Sequence, residues 1–274
     1  MSFTLQGPLL LAGAGRMGGA ILSRLLASGL DPRLVLVQDP EPPVEVADLI
    51  ADACIDLLPF IDELTSPPAV ILLAVKPQLT EEVLPGLARL AGPGTLLLSI
   101  VAGRRLAGLA VHMPEGAAIV RAMPNMPAAI GRGVTVAVAN PGVTPAQQAL
   151  ADELMGAVGD VLWVEDEALL DPVTAVSGSG PAYVFLLAEC LAEAGRAAGL
   201  DAELAEHLAR ATVAGSAALL EQSDLSAASL RQNVTSPGGT TAAALEVLGG
   251  PEGLQKLMTA AVAAATKRGR ELAK

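Results

Sequence analysis

Short apolar runs alternate with longer amphipathic segments through the first half of the chain. Apolar runs of this length predict buried strands of a parallel sheet. The predicted strands are Leu9–Leu11, Leu34–Val37, Val70–Val75, Leu96–Val101, Ala118–Ala122, Val134–Ala139 and Val161–Val164, and helical patterns cover residues 17–27 and 145–158. Strands that alternate with helices predict an α/β fold with a Rossmann-type, mostly parallel sheet.

The second half lacks a strand pattern and is rich in alanine-containing helical segments. Predicted helices begin at Pro181, after Asp201, after Ser223 or Asp224, at Thr240 and at Pro251. The sequence therefore predicts a dinucleotide-binding domain over residues 1–164 and an all-α domain over residues 165–274. These helices carry many small side chains and few charges, so we expect some of their faces to be buried in a homodimer.

A glycine-rich turn follows the first predicted strand. The turn reads G-A-G-R-M-G and leads into the first helix, and Asp39 follows the second strand 21 positions after Gly18. This spacing matches the dinucleotide-binding fingerprint, in which a helix N-terminus binds the pyrophosphate and an acid binds the ribose. The residues expected to bind the cofactor are Gly13, Ala14, Gly15, Arg16, Met17, Gly18 and Asp39.

Asp39 also bears on the choice between NADH and NADPH. A carboxylate here accepts hydrogen bonds from ribose hydroxyls and repels a 2′-phosphate. Eight acidic residues and no Lys or Arg lie between Leu34 and Val75. The sequence thus favours NADH, unless Arg16 turns toward a 2′-phosphate. The alternative is that Asp39 caps a turn before Pro40.

Three loops that follow predicted strands have distinctive sequences. They are Ala74–Gln78, Ser99–Gly103 and Arg121–Pro127. Ligands of open α/β sheets bind at the carboxyl ends of the strands, so these loops should border the cofactor. Lys76 is a candidate contact to the cofactor or to a substrate carboxylate, with an ordinary surface lysine as the alternative. Asn125 either directs its amide to the nicotinamide or supports its loop.

Two short segments of the helical half are rich in glycine, serine and threonine. They are Ser177–Tyr183, with the sequence S-G-S-G-P-A-Y, and Asn233–Thr241, with the sequence N-V-T-S-P-G-G-T-T. Each is predicted to open onto a helix, whose first N–H groups are unpaired and attract anions. The pair predicts a cradle for a small anion, and ordinary helix capping is the alternative.

Composition excludes several partners. A formal charge of −12 and an aromatic content of 2% argue against nucleic acid. Cys54 and Cys190 fit no metal or redox spacing, and we expect both to be buried. We assign His112 and His207 structural or surface roles. The N-terminus lacks a signal-peptide pattern and apolar runs are interrupted, so we expect a cytoplasmic protein without a membrane partner.

The order of these motifs resembles one enzyme family. A-V-K-P-Q, M-P-N-x-P, S-G-S-G-P-A-Y and S-P-G-G-T-T, behind the glycine turn, are similar to pyrroline-5-carboxylate reductases over nearly the whole chain. The resemblance implies hydride transfer from NAD(P)H to the C=N carbon of 1-pyrroline-5-carboxylate, which yields L-proline. It also implies a Rossmann domain, a helical dimerisation domain and, in many members, a larger ring of dimers.

The resemblance extends to individual residues. It implies cofactor contacts at the glycine turn and at Ala74, Val75, Lys76, Pro77, Val101, Ala102 and Gly103, with Asn125 as our further candidate. Substrate contacts are expected at Glu167, Ser177, Ser179, Gly180, Asn233, Ser236, Gly238, Gly239, Thr240 and Thr241. Thr241 matches the threonine whose hydroxyl meets the ring nitrogen, and we assign Thr241 and Lys76 as catalytic.

Some positions depart from the family pattern. Met126 replaces the usual threonine of the M-P-N-T-P loop, Asp39 stands where serine or asparagine is common, and residues 51–66 lack an asparagine near the adenosine. A β-hydroxyacid dehydrogenase is a rival interpretation, but no lysine occurs between Lys76 and Lys256 to serve as its base. A non-catalytic NAD-binding protein is a second alternative.

Overall fold

A computed structural model describes residue 3 and residues 5–272 of the chain. Its sheet has eight strands in the order β3-β2-β1-β4-β5-β6-β7-β8. The strands are β1 Leu9–Ala12, β2 Val35–Gln38, β3 Asp56–Leu58, β4 Val70–Leu73, β5 Leu96–Ser99, β6 Ala118–Met123, β7 Gly133–Ala139 and β8 Gly159–Trp163. The helices are α1 Arg16–Ala27, α2 Val44–Asp52, α3 Thr80–Leu90, α4 Leu106–Ala110, α5 Pro145–Gly156, α6 Leu170–Val173, α7 Gly180–Ala197, α8 Ala202–Gln222, α9 Ala227–Asn233, α10 Thr240–Leu248 and α11 Leu254–Leu272.

The sheet confirms the predicted fold class. All strand pairs are parallel except β6 with β7. Strands β1, β4 and β5 are buried along their whole lengths. One apolar cluster contains Leu9 and Leu11, and a second contains Leu10 and Ala12, so side chains that alternate along β1 belong to different cores. This burial on both faces explains why these strands read as continuous apolar runs.

Four elements of the first half were absent from the sequence prediction. They are α2, α3, α4 and the edge strand β3, and α3 contains Pro85 in its interior. The first and last residues of β3, Asp56 and Leu58, are exposed, so this strand lacks the continuous apolar run that marks the central strands.

The chain divides into two compact units, which we call the first unit (residues 1–178 and 266–274) and the second unit (residues 179–265). The domain boundary predicted after residue 164 stays a prediction. In the second unit, Asp201 caps α8 as expected, and its Oδ1 accepts a bond from Leu204 N at 2.9 Å. Ser226, rather than Ser223 or Asp224, caps α9. Helix α11 begins at Leu254, three residues after the predicted start.

The segment around Ser177 is helical, which corrects the predicted open loop. Helix α6 continues into a π-helical turn, Thr174–Gly178, and α7 follows at Gly180. Hydroxyls of Thr174 and Ser177 donate to carbonyls four residues earlier, at 2.7 and 3.0 Å. Such bonds compete with the regular helical pattern and accompany local widening. The predicted start of a helix at Pro181 is confirmed to within one residue, because α7 begins at Gly180, but the segment before it is helical and not an open loop.

Both cysteines are exposed and unpaired, contrary to the predicted burial. Cys54 occupies a left-handed turn with φ 53° directly after α2. The N-terminal segment behind the localisation prediction includes residues 1, 2 and 4, which lie outside the described part. Within the described residues, one helical stretch, Glu167–Ala197, is long and apolar enough to span a membrane by length and composition alone, a test that core helices of other proteins also pass.

Candidate active site

Two glycines of the predicted fingerprint are required by the backbone. Gly13 has φ 93°, and a Cβ there would lie 2.7 Å from the backbone of Ala74 and Val75. A Cβ on Gly18 would lie 2.1 Å from the carbonyl oxygen of Gly13. The turn therefore packs directly against the loop that follows β4, and larger residues at either position would force it away.

Gly15 has a different environment. No atom lies within 4 Å of the position of its Cβ, and it precedes α1 without a side-chain capping bond. An open approach to the first N–H groups of a helix is what a pyrophosphate needs. The glycine turn thus fits a dinucleotide, with the residues Gly13, Ala14, Gly15, Arg16, Met17 and Gly18 around the open position.

Asp39 joins the glycine turn to the end of β2. Its Oδ2 accepts a hydrogen bond from Ala14 N at 2.6 Å, and its Oδ1 accepts one from Glu41 N at 2.9 Å. The carboxylate caps the turn after β2, as the alternative interpretation held. It also stands beside the glycine turn, where the ribose of a dinucleotide is expected.

Two of the three loops predicted to border the cofactor, those that follow β4 and β5, lie side by side. Leu73 at the end of β4 pairs with Ala12 of β1 and with Ser99 of β5. Lys76 is exposed and precedes a 3-10 turn, Pro77–Leu79. Three further residues assigned to the cofactor, Val101, Ala102 and Gly103, follow β5, and Gly103 has φ 73°.

An arginine that the sequence analysis did not select connects these loops. Arg104 donates from Nε and Nη2 to the carbonyl of Pro77, at 3.2 and 2.9 Å. Its Nη1 lies 2.6 Å from Oε1 of Glu81, and Oε2 of Glu81 lies 2.7 Å from Nε2 of His112. The position of Arg104 directly after the Val101–Gly103 loop was the available signal.

Glu167, a predicted substrate contact, is engaged within the first unit. Its Oε1 accepts from Arg121 Nη1 at 2.9 Å and from Leu106 N at 2.8 Å. The Arg121 side chain is 5% exposed and that of Glu167 is 24% exposed. The ion pair neutralises a buried guanidinium and holds the start of α4, a structural role that the sequence did not indicate.

Asn125 is buried and uses both ends of its amide on the backbone. Its Oδ1 accepts from Val134 N at 3.0 Å, and its Nδ2 donates to the carbonyl of Ser177 at 3.2 Å. Asn125 therefore supports its own loop, which was the alternative to a contact with nicotinamide. The contact of Asn125 with nicotinamide stays a prediction.

The second unit contains the other predicted loop as an open turn. Helix α9 ends at Asn233, Gly238 has φ 68°, and α10 begins at Thr240 after the N-cap residue Gly239. No side chain caps this helix start. The N–H groups of the first turn of α10, together with the hydroxyls of Thr240 and Thr241, therefore form a donor-rich edge suited to a carboxylate.

In the described part of the chain, no group of three or more His, Cys, Asp or Glu residues is arranged to hold an ion.

Comparison with known families divides the chain into two matches. Residues 9–103 match a family described as NADP oxidoreductase, coenzyme F420-dependent. Residues 167–272 match a family described as pyrroline-5-carboxylate reductase dimerisation.

Whole-length relatives agree with these matches. Pyrroline-5-carboxylate reductase from Synechocystis is 42% identical over 267 residues, which cover 96% of this chain and 97% of the relative. The enzyme of the same name from Pseudomonas aeruginosa is 38% identical over 261 residues, 95% of each chain.

Solved structures give the same result. A pyrroline-5-carboxylate reductase from Coxiella burnetii superimposes with a TM-score of 0.87 at 34% identity, covering 98% of this chain and 99% of that one. A pyrroline carboxylate reductase from Plasmodium falciparum, solved with NADP bound, has a TM-score of 0.81 at 26% identity, with coverage of 98% and 99%. On identity and coverage together, the chain belongs to the pyrroline-5-carboxylate reductase family.

Proposed function

We propose that this chain catalyses the NAD(P)H-dependent reduction of 1-pyrroline-5-carboxylate to L-proline, the last step of proline biosynthesis. The observation that carries the proposal is the uncapped start of α10, which presents Thr240 and Thr241 after the turn at Gly238. Membership in the family supports one activity that uses both this donor-rich edge and the glycine turn of the first unit, which fits a dinucleotide.

The residue types suit reduction of a cyclic imine. Such an imine protonates readily, and its iminium form is already electrophilic, so the enzyme needs position more than a strong acid. We assign the Thr241 hydroxyl to the ring nitrogen and the N–H groups at the start of α10 to the substrate carboxylate. Asn233, Ser236, Gly238, Gly239 and Thr240 form the remainder of this proposed site.

The first unit is proposed to bind the dinucleotide. A reduced nicotinamide cofactor supplies the hydride when it is bound. The open turn at Gly15 receives the pyrophosphate, and the loops Ala74–Pro77 and Val101–Gly103 border the cofactor, with Lys76 as a candidate for direct contact. The functional division between residues 1–164 and residues 165–274 is part of the same proposal.

Cofactor choice is proposed to favour NADH. The Asp39 carboxylate stands beside Ala14 of the glycine turn, at 2.6 Å from its N–H. A 2′-phosphate at this ribose would meet that carboxylate and the acidic segment that follows it, which contains no Lys or Arg as far as Val75. Repulsion between like charges disfavours NADPH.

Four further residues stay proposed substrate contacts, namely Glu167, Ser177, Ser179 and Gly180. The Oε1 atom of Glu167 is occupied by Arg121 and Leu106, so its other oxygen, Oε2, is the atom proposed to meet substrate. The Ser177 hydroxyl donates to Val173, which leaves its lone pairs to accept a bond.

The chain forms a homo-oligomer based on a dimer. Many large apolar side chains of the second unit are exposed in the single chain, among them Phe185 at 55% and Leu257 at 63%. Exposed apolar surface of this extent marks an interface. Burial in such an interface also explains the apolar composition of the stretch Glu167–Ala197, which lies in the region matched by the dimerisation family. Sedimentation at micromolar concentration that shows only monomer would contradict this statement.

A cytoplasmic location is also proposed. The two exposed, unpaired cysteines are suited to a reducing compartment. Cell fractionation with a tagged full chain tests the location, and recovery in a membrane or secreted fraction would contradict it.

The activity has a direct test. Purified chain is mixed with NADH or NADPH and 1-pyrroline-5-carboxylate, and oxidation of the cofactor is followed at 340 nm together with formation of proline. We expect cofactor loss and proline formation in equal amounts. Binding of cofactor without turnover would instead favour a non-catalytic NAD-binding protein.

A further inference from the structure

Arg104 lies where two proposed cofactor loops meet. We call Ala74–Pro77 the first loop and Val101–Gly103 the second loop. Arg104 directly follows Gly103, the last residue of the second loop, and its guanidinium donates twice to the carbonyl of Pro77, the last residue of the first loop. The same carbonyl accepts the N–H of Thr80, the first residue of α3. The Arg104 side chain therefore connects the end of the Val101–Gly103 loop to the end of the Ala74–Pro77 loop and to the beginning of α3.

Glu81 and His112 hold the guanidinium in this orientation. Glu81, in the first turn of α3, uses Oε1 for Arg104 and Oε2 for His112, which follows α4. We call the set Arg104, Glu81, His112 and the Pro77 carbonyl the loop clamp. Its three side chains are 31%, 56% and 21% exposed, so the clamp lies at the surface and contributes modestly to stability.

The geometry requires an arginine. Its planar fork reaches a carbonyl through Nε and Nη2 and a carboxylate through Nη1 at the same time. A lysine carries the same charge but offers one nitrogen. Replacing Arg104 by lysine therefore separates the effect of the fork from the effect of the charge.

We propose that Arg104 is a positioning residue, which sets the relative placement of the Ala74–Pro77 and Val101–Gly103 loops and thereby the affinity for the dinucleotide. The inference rests on the proposed function, because those loops are its proposed cofactor contacts. Loops held before binding lose less conformational entropy when the ligand arrives, and this preorganisation raises affinity.

The test measures NADH affinity of the full chain without 1-pyrroline-5-carboxylate. We expect Arg104→Ala and Arg104→Lys each to raise the Kd for NADH roughly tenfold, about 1.4 kcal/mol. Glu81→Gln keeps an oxygen for Arg104 and should have a smaller effect. Arg89→Ala, which removes an exposed arginine of α3, is the matched control and should bind NADH like the parent chain.

Hydrogen exchange of the cofactor-free protein gives a second readout. Both Arg104 variants should exchange faster at the amides of residues 74–80 and 101–106, while α1 and the central strands stay unchanged. If Arg104→Ala lowers Tm so far that it is partly unfolded, Arg104→Lys decides the question.

Three results would overturn the proposal. They are unchanged NADH affinity in both variants, unchanged exchange in both loops, and an Arg104→Lys variant that matches the parent while Arg104→Ala does not, since charge alone would then explain the effect. Failure of the proposed function is a separate result, because it appears as absence of imine turnover by the unmutated chain, whereas exchange and NADH affinity report on the clamp.

Discussion

The Asp39 carboxylate accepts a hydrogen bond from the backbone N–H of Ala14 at 2.6 Å. This bond connects the end of β2 to the glycine turn between β1 and α1, so the acid that is expected to meet the ribose also shapes the turn expected to meet the pyrophosphate. Changes at Asp39 should therefore affect both the choice of cofactor and the order of the turn.

Cofactor preference should respond to Asp39→Ser. The substitution removes the negative charge and leaves a hydroxyl that can accept the Ala14 N–H. We expect kcat/KM with NADPH to rise relative to kcat/KM with NADH by about tenfold, equivalent to about 1.4 kcal/mol. Initial rates with both cofactors measure it. Glu63→Gln, which neutralises an exposed carboxylate elsewhere in the acidic segment, is the control, and a tenfold preference of the parent chain for NADPH would contradict the NADH proposal.

Alanine substitutions at Gly15 and Gly13 should distinguish an effect on NADH binding alone from an effect on both binding and stability. Gly15 adopts φ −68° and ψ −166° and has open space at its Cβ position, so Gly15→Ala should fold normally. Its methyl group would occupy the approach of the pyrophosphate, and we expect the Kd for NADH to rise tenfold or more. Calorimetric titration with NADH and a thermal melt test both statements.

Gly13→Ala is the contrasting variant. Its φ of 93° and the 2.7 Å approach to the Ala74–Val75 backbone predict strain in the folded state. Left-handed strain alone costs about 1–3 kcal/mol. We expect a lower Tm together with weaker NADH binding. A Gly13→Ala chain as stable as the parent would show that the turn can move away from the loop after β4.

Thr241→Ala tests the proposed contact to the ring nitrogen. Loss of one hydrogen bond should weaken stabilisation of the transition state by about 1–3 kcal/mol, and kcat/KM for 1-pyrroline-5-carboxylate should fall by the corresponding factor. Thr241→Ser keeps the hydroxyl and should retain most of the activity. Parent-like rates in the alanine variant would remove Thr241 from the mechanism.

Glu167 has a structural role that can be measured apart from catalysis. Glu167→Ala leaves the nearly buried guanidinium of Arg121 without its partner, and we expect a loss of about 3 kcal/mol in unfolding free energy by urea titration. Glu167→Gln retains an oxygen for Arg121 and Leu106 and should cost less. If the glutamine variant keeps its stability yet has a raised KM for the imine, Glu167 also contacts substrate, whereas an unchanged KM would leave it a structural residue.

The sequence by itself determined the central architecture. The strands β1, β4 and β5 are buried on both faces, so their positions appear as uninterrupted apolar runs. Gly13 and Gly18 could be recognised because their spacing reflects a local requirement of the turn, which the close approaches to neighbouring backbone confirm. The open turn before Thr240 was likewise encoded locally.

Tertiary structure alone decided the interactions between distant segments. The Arg104–Pro77 bond, the Arg121–Glu167 pair and the use of Asn125 by Val134 and Ser177 join residues that are separated along the chain by 27, 46, 9 and 52 positions. A side chain's partner across such a separation depends on how strands align and helices pack, which local patterns do not specify. For the same reason Ser177, whose sequence indicates a loop, lies in a π-helical turn formed by bonds to the preceding carbonyls.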